Sequence, residues 1–182
     1  MFLKHVTLTF TAAVAVVALG AAAAGQVVKK EVPGITNFSR VDATFACGGA
    51  TTPEAVQALK AEGFTSIVNL RAADEPGANV EAEKEAARAA GVQYFHLPFK
   101  GAADAAVVDQ FLDVVRDPKN QPVFIHCATA NRVGAFWVIK RVRLDGWPVE
   151  KALTEAEAIG LTNPTLRQFA LDYLNREKKS GK

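Results

Sequence analysis

Apolar and polar positions along this chain fall into segments with two alternating spacings. Short apolar runs rich in β-branched and aromatic residues predict strands, at 43–47, 64–70, 92–99 and 122–126. Between them, apolar residues recur every three or four positions, which predicts helices, at 52–63, 80–90 and 104–115. This alternation predicts an α/β domain with a mainly parallel central sheet of four to five strands and helices on both faces.

The remaining segments lie on either side of this pattern. Residues 26–41 are polar and contain turn-forming residues, so we expect an N-terminal arm or a short edge strand. After residue 126 the pattern is helical, with segments at 132–144, 148–160 and 163–175. Residues 42–176 are therefore the predicted domain. Residues 177–182 have no apolar face to bury, and we expect them to be frayed.

Residues 1–25 have the pattern of a signal peptide. Lys4 precedes an almost wholly apolar stretch at 6–20, and the small residues AAAAG follow at 21–25. An uncleaved membrane anchor is the alternative, because the apolar stretch approaches the length of a span. The small residues favour cleavage, which predicts a periplasmic or secreted domain with no stable membrane insertion once the leader is removed.

The amino-acid composition and the net charge exclude several classes of protein. Of the 182 residues, 49% are hydrophobic and 22% are charged, a balance typical of one globular domain rather than a disordered or multi-span chain. The net charge of +2 provides no basic field for nucleic acid, so no nucleic-acid partner is expected. Two cysteines are too few for a disulfide scaffold, and no Cys/His spacing fits a metal site.

The strand ends point to one segment as the candidate site. Parallel strands deliver their carboxyl ends to one rim, where open α/β sheets bind ligands. There Cys127 ends the most apolar strand, and Arg132 enters the next helix. The backbone N–H groups between them, the helix N-terminus and the guanidinium together favour an oxyanion and a thiolate nucleophile. The predicted phosphate-binding residues are Ala128, Thr129, Ala130, Asn131 and Arg132.

Around this segment the chain resembles the cysteine-dependent protein tyrosine phosphatases, specifically small bacterial members similar to dual-specificity phosphatases. The motifs that carry the resemblance are FACGG at 45–49, TPEAVQALKAEGF at 52–64, IVNLR at 67–71, YFHLPF at 94–99, VFIHC at 123–127 and NRVGAFWVIKRV at 131–142. The resemblance implies the cysteine-phosphatase fold and a phosphorylated protein or small molecule as substrate. It also implies that Cys127 attacks phosphorus to form a phosphocysteine, while Arg132 holds the oxygens, with no metal or cofactor.

The loop departs from the usual phosphatase pattern in its length. Four residues separate Cys127 from Arg132, where such phosphatases usually have five. Rhodanese-like sulfurtransferases have four, so a persulfide carrier on Cys127 is an alternative function. A non-catalytic module that binds an anionic ligand in the same cradle is another. Val133 follows the arginine at a position where phosphatases commonly have serine or threonine, which predicts slow turnover.

The resemblance also implies a general acid, an aspartate on the loop after the preceding strand. Asp104 is the only acid in that loop, KGAAD, although it also fits a helix N-cap. Asp74 and Glu75 on the neighbouring rim loop are alternative acids, or parts of an ordinary polar turn. His126 is expected to be a buried histidine that braces the loop rather than a proton shuttle.

The second cysteine gives a further hypothesis. Cys47 ends the first strand and Cys127 ends the central one, so both reach the same rim. In an oxidising compartment Cys47 could act as a redox partner that blocks and protects Cys127. The alternative is that Cys47 is only a small buried residue, and the sequence leaves both interpretations open.

Overall fold

A computed structural model describes residues 26–101, 104 and 106–180, with side chains to residue 176. The predicted signal peptide at 1–25 lies outside the described residues, as do Ala102, Ala103 and Ala105 in the loop before the third helix. Across the described part, the alternation of strands and helices inferred from the sequence forms one sheet with helices on both faces.

The sheet has six strands in the order β1-β2-β3-β6-β4-β5. The strands are β1 Val28–Lys29, β2 Ser39–Arg40, β3 Phe45–Gly48, β4 Ser66–Asn69, β5 Gln93–His96 and β6 Val123–His126. The last four in the sheet order are parallel, which confirms the mainly parallel sheet. The predicted number of four to five strands was too low, because the N-terminal arm contributes two short antiparallel strands, β1 and β2.

Six α-helices complete the described part of the domain. They are α1 Ala55–Ala61, α2 Val80–Ala90, α3 Ala106–Arg116, α4 Asn131–Arg143, α5 Val149–Ile159 and α6 Pro164–Ser180. Helix α6 extends past its predicted end at 175, so the predicted frayed tail is helical as far as Ser180. The reason is that no glycine or proline interrupts the charged run before Gly181. Within the described ranges, no helix combines the length and the apolar run needed to cross a membrane.

Strand β6 separates two apolar cores. Phe124 packs on the face covered by α1 and α2, whereas Val123 and Ile125 pack on the face covered by the remaining helices. All four residues of β6 are buried, which agrees with the unbroken apolar run in the sequence. The nucleophile candidate therefore directly follows a fully buried strand of the sheet.

The N-terminal arm is tied to the far end of α5. Lys29 Nζ and Asn37 Nδ2 both donate to the carbonyl oxygen of Ile159, at 3.0 and 2.8 Å, and so satisfy a carbonyl at the helix C-terminus. The next residue, Gly160, packs so closely on Ala130 that a Cβ there would lie 3.1 Å from the Ala130 Cβ. The arm thus supports the segment that lies behind the loop after β6.

Candidate active site

The carboxyl ends of the parallel strands meet at one rim, as their topology requires. His126 on β6 pairs in register with Gly48 on β3 and with Asn69 on β4. Asn69 in turn pairs with His96 on β5. The loops that follow these strands therefore start side by side, and they carry the residues singled out in the sequence.

The loop between Cys127 and Arg132 turns sharply into helix α4. Ala130 stands at the N-cap in the left-handed conformation, with φ of 69°, which costs an L-residue roughly 1–2 kcal/mol. Ala128 O accepts a hydrogen bond from Ala50 N at 2.9 Å, which joins the loop to the segment after β3. A Cβ at Gly49 would lie 3.1 Å from Ala128 O and collide with Thr36, so this close approach needs glycine.

Asn131, expected to contribute its backbone N–H, also uses its side chain. Its Oδ1 accepts hydrogen bonds from the backbone N–H groups of Thr162 and Asn163, at 2.8 and 2.7 Å. Its Nδ2 donates to Thr129 Oγ1 at 3.2 Å. The phosphate-loop candidate is therefore fastened to the connection between α5 and α6.

Arg132 is held rigidly. Its Nη1 donates to Glu75 Oε1 at 2.5 Å and its Nη2 donates to Glu75 Oε2 at 2.7 Å, a two-pronged ion pair. Nη1 also lies 3.1 Å from the carbonyl oxygens of Leu70 and Phe99. Burial alone would lower the pKa of Arg132, but the bonds to Glu75 and the neighbouring Cys127 outweigh it, and the pKa is raised. The guanidinium is thus a fixed cation beside the cysteine.

Glu75 is the functional residue that sequence analysis assigned least well. Its bond to Arg132, opposed by burial and aided by Ala72 N and Arg71, lowers the pKa of Glu75 to about 2. Both carboxylate oxygens of Glu75 bond Arg132, which favours an anchoring role over the alternative of a proton donor. Glu75 is also not an ordinary polar turn residue. Arg71 shapes its loop by donating to the carbonyls of Pro76 and Gly77, at 2.6 and 2.8 Å.

The depressed pKa of Glu75 predicts a pH-dependent stability. A carboxyl whose folded pKa lies below its unfolded value stabilises the fold above about pH 4.5, and this contribution is lost as pH falls toward about 2. We expect Glu75→Gln to lower the melting temperature at pH 7, with the difference from wild type shrinking between pH 4.5 and 3. Circular dichroism melts measure it. Glu157→Gln, at an exposed 3.9 Å pair, is the control, and a pH-independent difference for Glu75→Gln would contradict the assignment.

The two aspartates proposed as general acids lie on adjacent loops. Asp104 Oδ2 accepts a hydrogen bond from Lys100 N at 2.8 Å, which closes the loop between them. Asp74 is paired with Lys100 Nζ, also at 2.8 Å. This bond to Lys100 is the main reason that the pKa of Asp74 is lowered, so Asp74 is ionised at neutral pH. Asp74 also lines the cavity in front of Arg132, whereas Asp104 is outside its described wall. Asp104 stays a prediction as the proton donor.

A cavity of about 720 Å³ opens in front of Arg132. Its wall includes the apolar side chains of Phe99, Pro76 and Leu166, with charged groups at the rim. Cys127 is only 1% exposed and is not part of the wall. A ligand in the cavity would therefore contact Arg132. Among the described residues, no cluster of His, Cys, Asp and Glu could hold a metal ion.

The geometry of Cys47 bears on the redox hypothesis. Cys47 pairs in register with Ile125 on the neighbouring strand, and Cys127 N bonds to Gly48 O at 3.4 Å, so the ladder continues to the nucleophile. Strand spacing and rise place the two cysteine Cα atoms roughly 8 Å apart, beyond the roughly 4.4–6.8 Å of disulfides. Both thiols are free, and burial raises the pKa of Cys47. The structure favours a purely structural Cys47.

We therefore expect no bridge between the two cysteines. In protein isolated without reductant and treated with peroxide, Cys47 should remain alkylatable after denaturation, whereas Cys127 is the thiol that oxidises. Non-reducing digestion and mass spectrometry measure this. Cys47→Ala should give the same oxidation pattern at Cys127. Recovery of a Cys47–Cys127 linked peptide from wild type would restore the redox switch.

The fold, the cysteine at a strand end and the half-buried arginine that follows it are features of a phosphatase of the tyrosine and dual-specificity type. Residues 22–167 match the family model of the DSP-PTPase phosphatase fused to NAD⁺ kinase, and the chain belongs to this family. A search of curated protein sequences found no significant match.

Solved structures show the same fold at low sequence identity. A phosphatase-like DUF442 protein from Shewanella putrefaciens CN-32 superposes with a TM-score of 0.64 at 18% identity, covering 79% of this chain and 92% of its own. P. aeruginosa TpbA gives 0.62 at 23% identity, covering 81% and 88%. The catalytic core of the PP-IP phosphatase Siw14 from S. cerevisiae gives 0.63 at 20%, covering 83% and 96%.

Proposed function

We propose that this protein hydrolyses phosphate monoesters through a phosphocysteine intermediate. The Cys127 thiolate attacks phosphorus, the bond to the ester oxygen breaks, and Asp104 gives that oxygen a proton. Water then gives a proton to the Asp104 carboxylate and attacks the phosphocysteine, which breaks the sulfur–phosphorus bond, releases inorganic phosphate and restores the thiolate. Arg132 and the loop N–H groups hold the non-bridging oxygens throughout.

The two-pronged Glu75–Arg132 pair beside Cys127 carries this proposal. A guanidinium has five N–H donors, and Glu75 takes one from each terminal nitrogen. Within the described part of the chain, no oxygen accepts from Nε. An oxyanion can therefore use Nε–H and the second Nη2 hydrogen, while Glu75 keeps the plane of the guanidinium fixed.

The cavity favours a substrate with one phosphate on an apolar body. Lys100 and Arg132 are offset by Asp74 and Glu75, so the described wall has no excess positive charge for several phosphates. Phe99 and its apolar neighbours can contact an aromatic ring. One TpbA structure contains phosphotyrosine, and Siw14 is described as a PP-IP phosphatase. The balance of charges supports phosphotyrosine or a similar monoester over a polyphosphorylated inositol.

The four-residue loop keeps sulfur transfer as the competing activity. The decisive comparison is hydrolysis of a generic aryl phosphate against transfer of sulfur from thiosulfate to cyanide, with the same protein sample. We expect phosphate release and no thiocyanate. Thiocyanate without phosphate would establish the sulfurtransferase. Oxyanion binding with neither product would establish a non-catalytic binding module.

We also infer that the protein acts outside the cytoplasm, in the periplasm or beyond. The leader pattern at residues 1–25, with its small residues before Gln26, supports this inference. The test is the intact mass of the protein recovered from the export compartment. A mass that begins near Gly25 or Gln26 is expected, and a full-length mass in the membrane fraction would favour the anchor.

The dependence of the hydrolysis rate on the leaving group distinguishes Asp104 from Asp74 as the proton donor. We expect Asp104→Asn to slow hydrolysis of esters with poor leaving groups by about 100-fold and of those with good leaving groups only slightly. Asparagine can still accept the bond from Lys100 N, so the loop is preserved. Steady-state rates on a series of aryl phosphates measure the effect, with Asp74→Asn as the matched variant. Equal slowing of all esters by Asp104→Asn would remove Asp104 from proton transfer.

A further inference from the structure

Three buried polar side chains and the partly exposed Tyr94 form a cluster directly below the rim, on the face covered by α2. Glu83 Oε2 accepts hydrogen bonds from Asn69 Nδ2 at 2.8 Å and from Tyr94 Oη at 2.9 Å. Glu83 Oε1 lies 2.9 Å from His126 Nε2, in contact but not aligned as a hydrogen bond. Glu83, His126 and Asn69 are all fully buried. The proposed reaction uses none of these groups directly.

Such a cluster is expensive to bury. A carboxylate removed from water loses on the order of several kcal/mol of solvation free energy, and its hydrogen-bond partners must offset this loss. The pKa of Tyr94 is raised, mainly by burial and to a smaller extent by the nearby Glu83. The phenol therefore keeps its proton and acts as a hydrogen-bond donor. Similar-sized apolar side chains would fill the same space at no such cost. Stability alone therefore does not account for the arrangement.

The cluster joins the two loops that form the site. His126 immediately precedes Cys127. Asn69 Oδ1 accepts a hydrogen bond from Arg71 N at 2.8 Å, at the start of the loop that carries Glu75. The two loops meet again at the ion pair between Glu75 and Arg132. Glu83, on α2, contacts the last residue of β6 and the last residue of β4, and so fixes the origins of both loops.

We propose that Glu83 is a positioning residue that holds the Cys127 loop and the Glu75 loop in the relative placement that the Glu75–Arg132 pair requires. This inference rests on the proposed function, but Glu83 itself does not touch the substrate. Its partners His126 and Asn69 transmit the constraint. Since a displacement of about 1 Å can cost on the order of 100-fold in rate, a loosened cluster should reduce turnover well before the fold is lost.

Glu83→Gln is the sharpest variant, because glutamine has the same shape but places an amide NH₂ where one oxygen stood. The substitution removes the negative charge opposite His126 Nε2, and the new NH₂ faces either that nitrogen or the two groups that donate to Oε2. Glu155→Gln is the matched control. Glu155 is also a buried carboxylate, bonded to Trp137 Nε1 and Arg141 Nε at 2.6 Å each, but it links α5 to α4 and has no contact with either loop.

The experiment measures melting temperature, kcat and KM on an aryl phosphate, and protection of Cys127 from iodoacetamide by inorganic tungstate. We expect both variants to lose thermal stability. Only Glu83→Gln should lower kcat, by about 10- to 100-fold. It should also need about tenfold more tungstate than wild type to protect half of Cys127 from alkylation. The double variant with Glu75→Gln should lose less activity than the product of the single losses, because both act on the same pair.

Wild-type kcat and tungstate protection in a Glu83→Gln protein with a lowered melting temperature would overturn the proposal. Should Glu83→Gln not fold, Tyr94→Phe removes one donor to Glu83 and keeps the ring. It is expected to lower kcat and protection several-fold, and unchanged values would overturn the proposal equally. If wild-type protein hydrolyses no phosphate ester, the proposed function fails. Tungstate protection of Cys127 then still decides the role of Glu83.

Discussion

Replacing Cys127 by serine is expected to reduce hydrolysis of an aryl phosphate by at least about 10⁴-fold. A serine hydroxyl stays protonated at neutral pH and cannot replace the thiolate that attacks phosphorus. The fold should survive, because the two side chains differ little in volume. Oxyanion binding should also survive, since Arg132 and the loop N–H groups remain.

Initial rates and isothermal titration with tungstate measure the two halves of this prediction. Cys47→Ala is the matched control, as it changes the other buried cysteine one strand away and should keep wild-type activity. Activity of Cys127→Ser within a few-fold of wild type would exclude covalent catalysis by Cys127. Loss of both activity and tungstate binding would instead indicate a collapsed loop.

Arg132→Lys should be the second most damaging change, with a loss of about 10²–10³-fold in kcat/KM. Lysine carries the charge but presents a single point, whereas the site needs a planar fork that bonds Glu75 on one edge and the oxyanion on the other. The change also leaves Glu75 with one partner fewer and its negative charge close to the phosphate. Both binding and turnover should therefore decline.

The comparison is Arg88→Lys, at an exposed pair with Glu85 on α2, which should leave kcat/KM unchanged. The double variant Arg132→Lys with Glu75→Gln separates the two causes. Partial recovery of oxyanion binding in the double variant would show that the freed carboxylate repels the ligand. Unaltered kcat/KM in Arg132→Lys would mean that the guanidinium does not contact the phosphate.

The architecture could be inferred from the sequence because it depends on local patterns and on one chirality rule. The segment at 122–126 is apolar throughout, and this strand is the central, fully buried β6. Right-handed crossovers then place the loops at one rim. The arm was harder to predict. Its strands β1 and β2 have two residues each, too few for any periodicity to appear.

The candidate site likewise contains residues that a local sequence pattern identifies and residues that it does not. Cys127 and Arg132 lie five positions apart in one loop, so a local motif identifies both. Glu75 reaches Arg132 across 57 positions, through a turn that Arg71 shapes, and no local pattern encodes that contact. Glu83 did leave a signal. It shares the buried face of α2 with Val80 and Ala87, at helical spacing, and a glutamate on an apolar stripe indicates a buried partner.

The tie between the N-terminal arm and α5 has a practical consequence for recombinant expression. A shortened chain that starts at Asp42 would match the predicted domain, but it would lack both side chains that bond the Ile159 carbonyl. That carbonyl is followed by Gly160, which packs on Ala130 in the phosphate loop. Any shortened chain should therefore start no later than Gln26, and affinity tags are better placed at the end of α6.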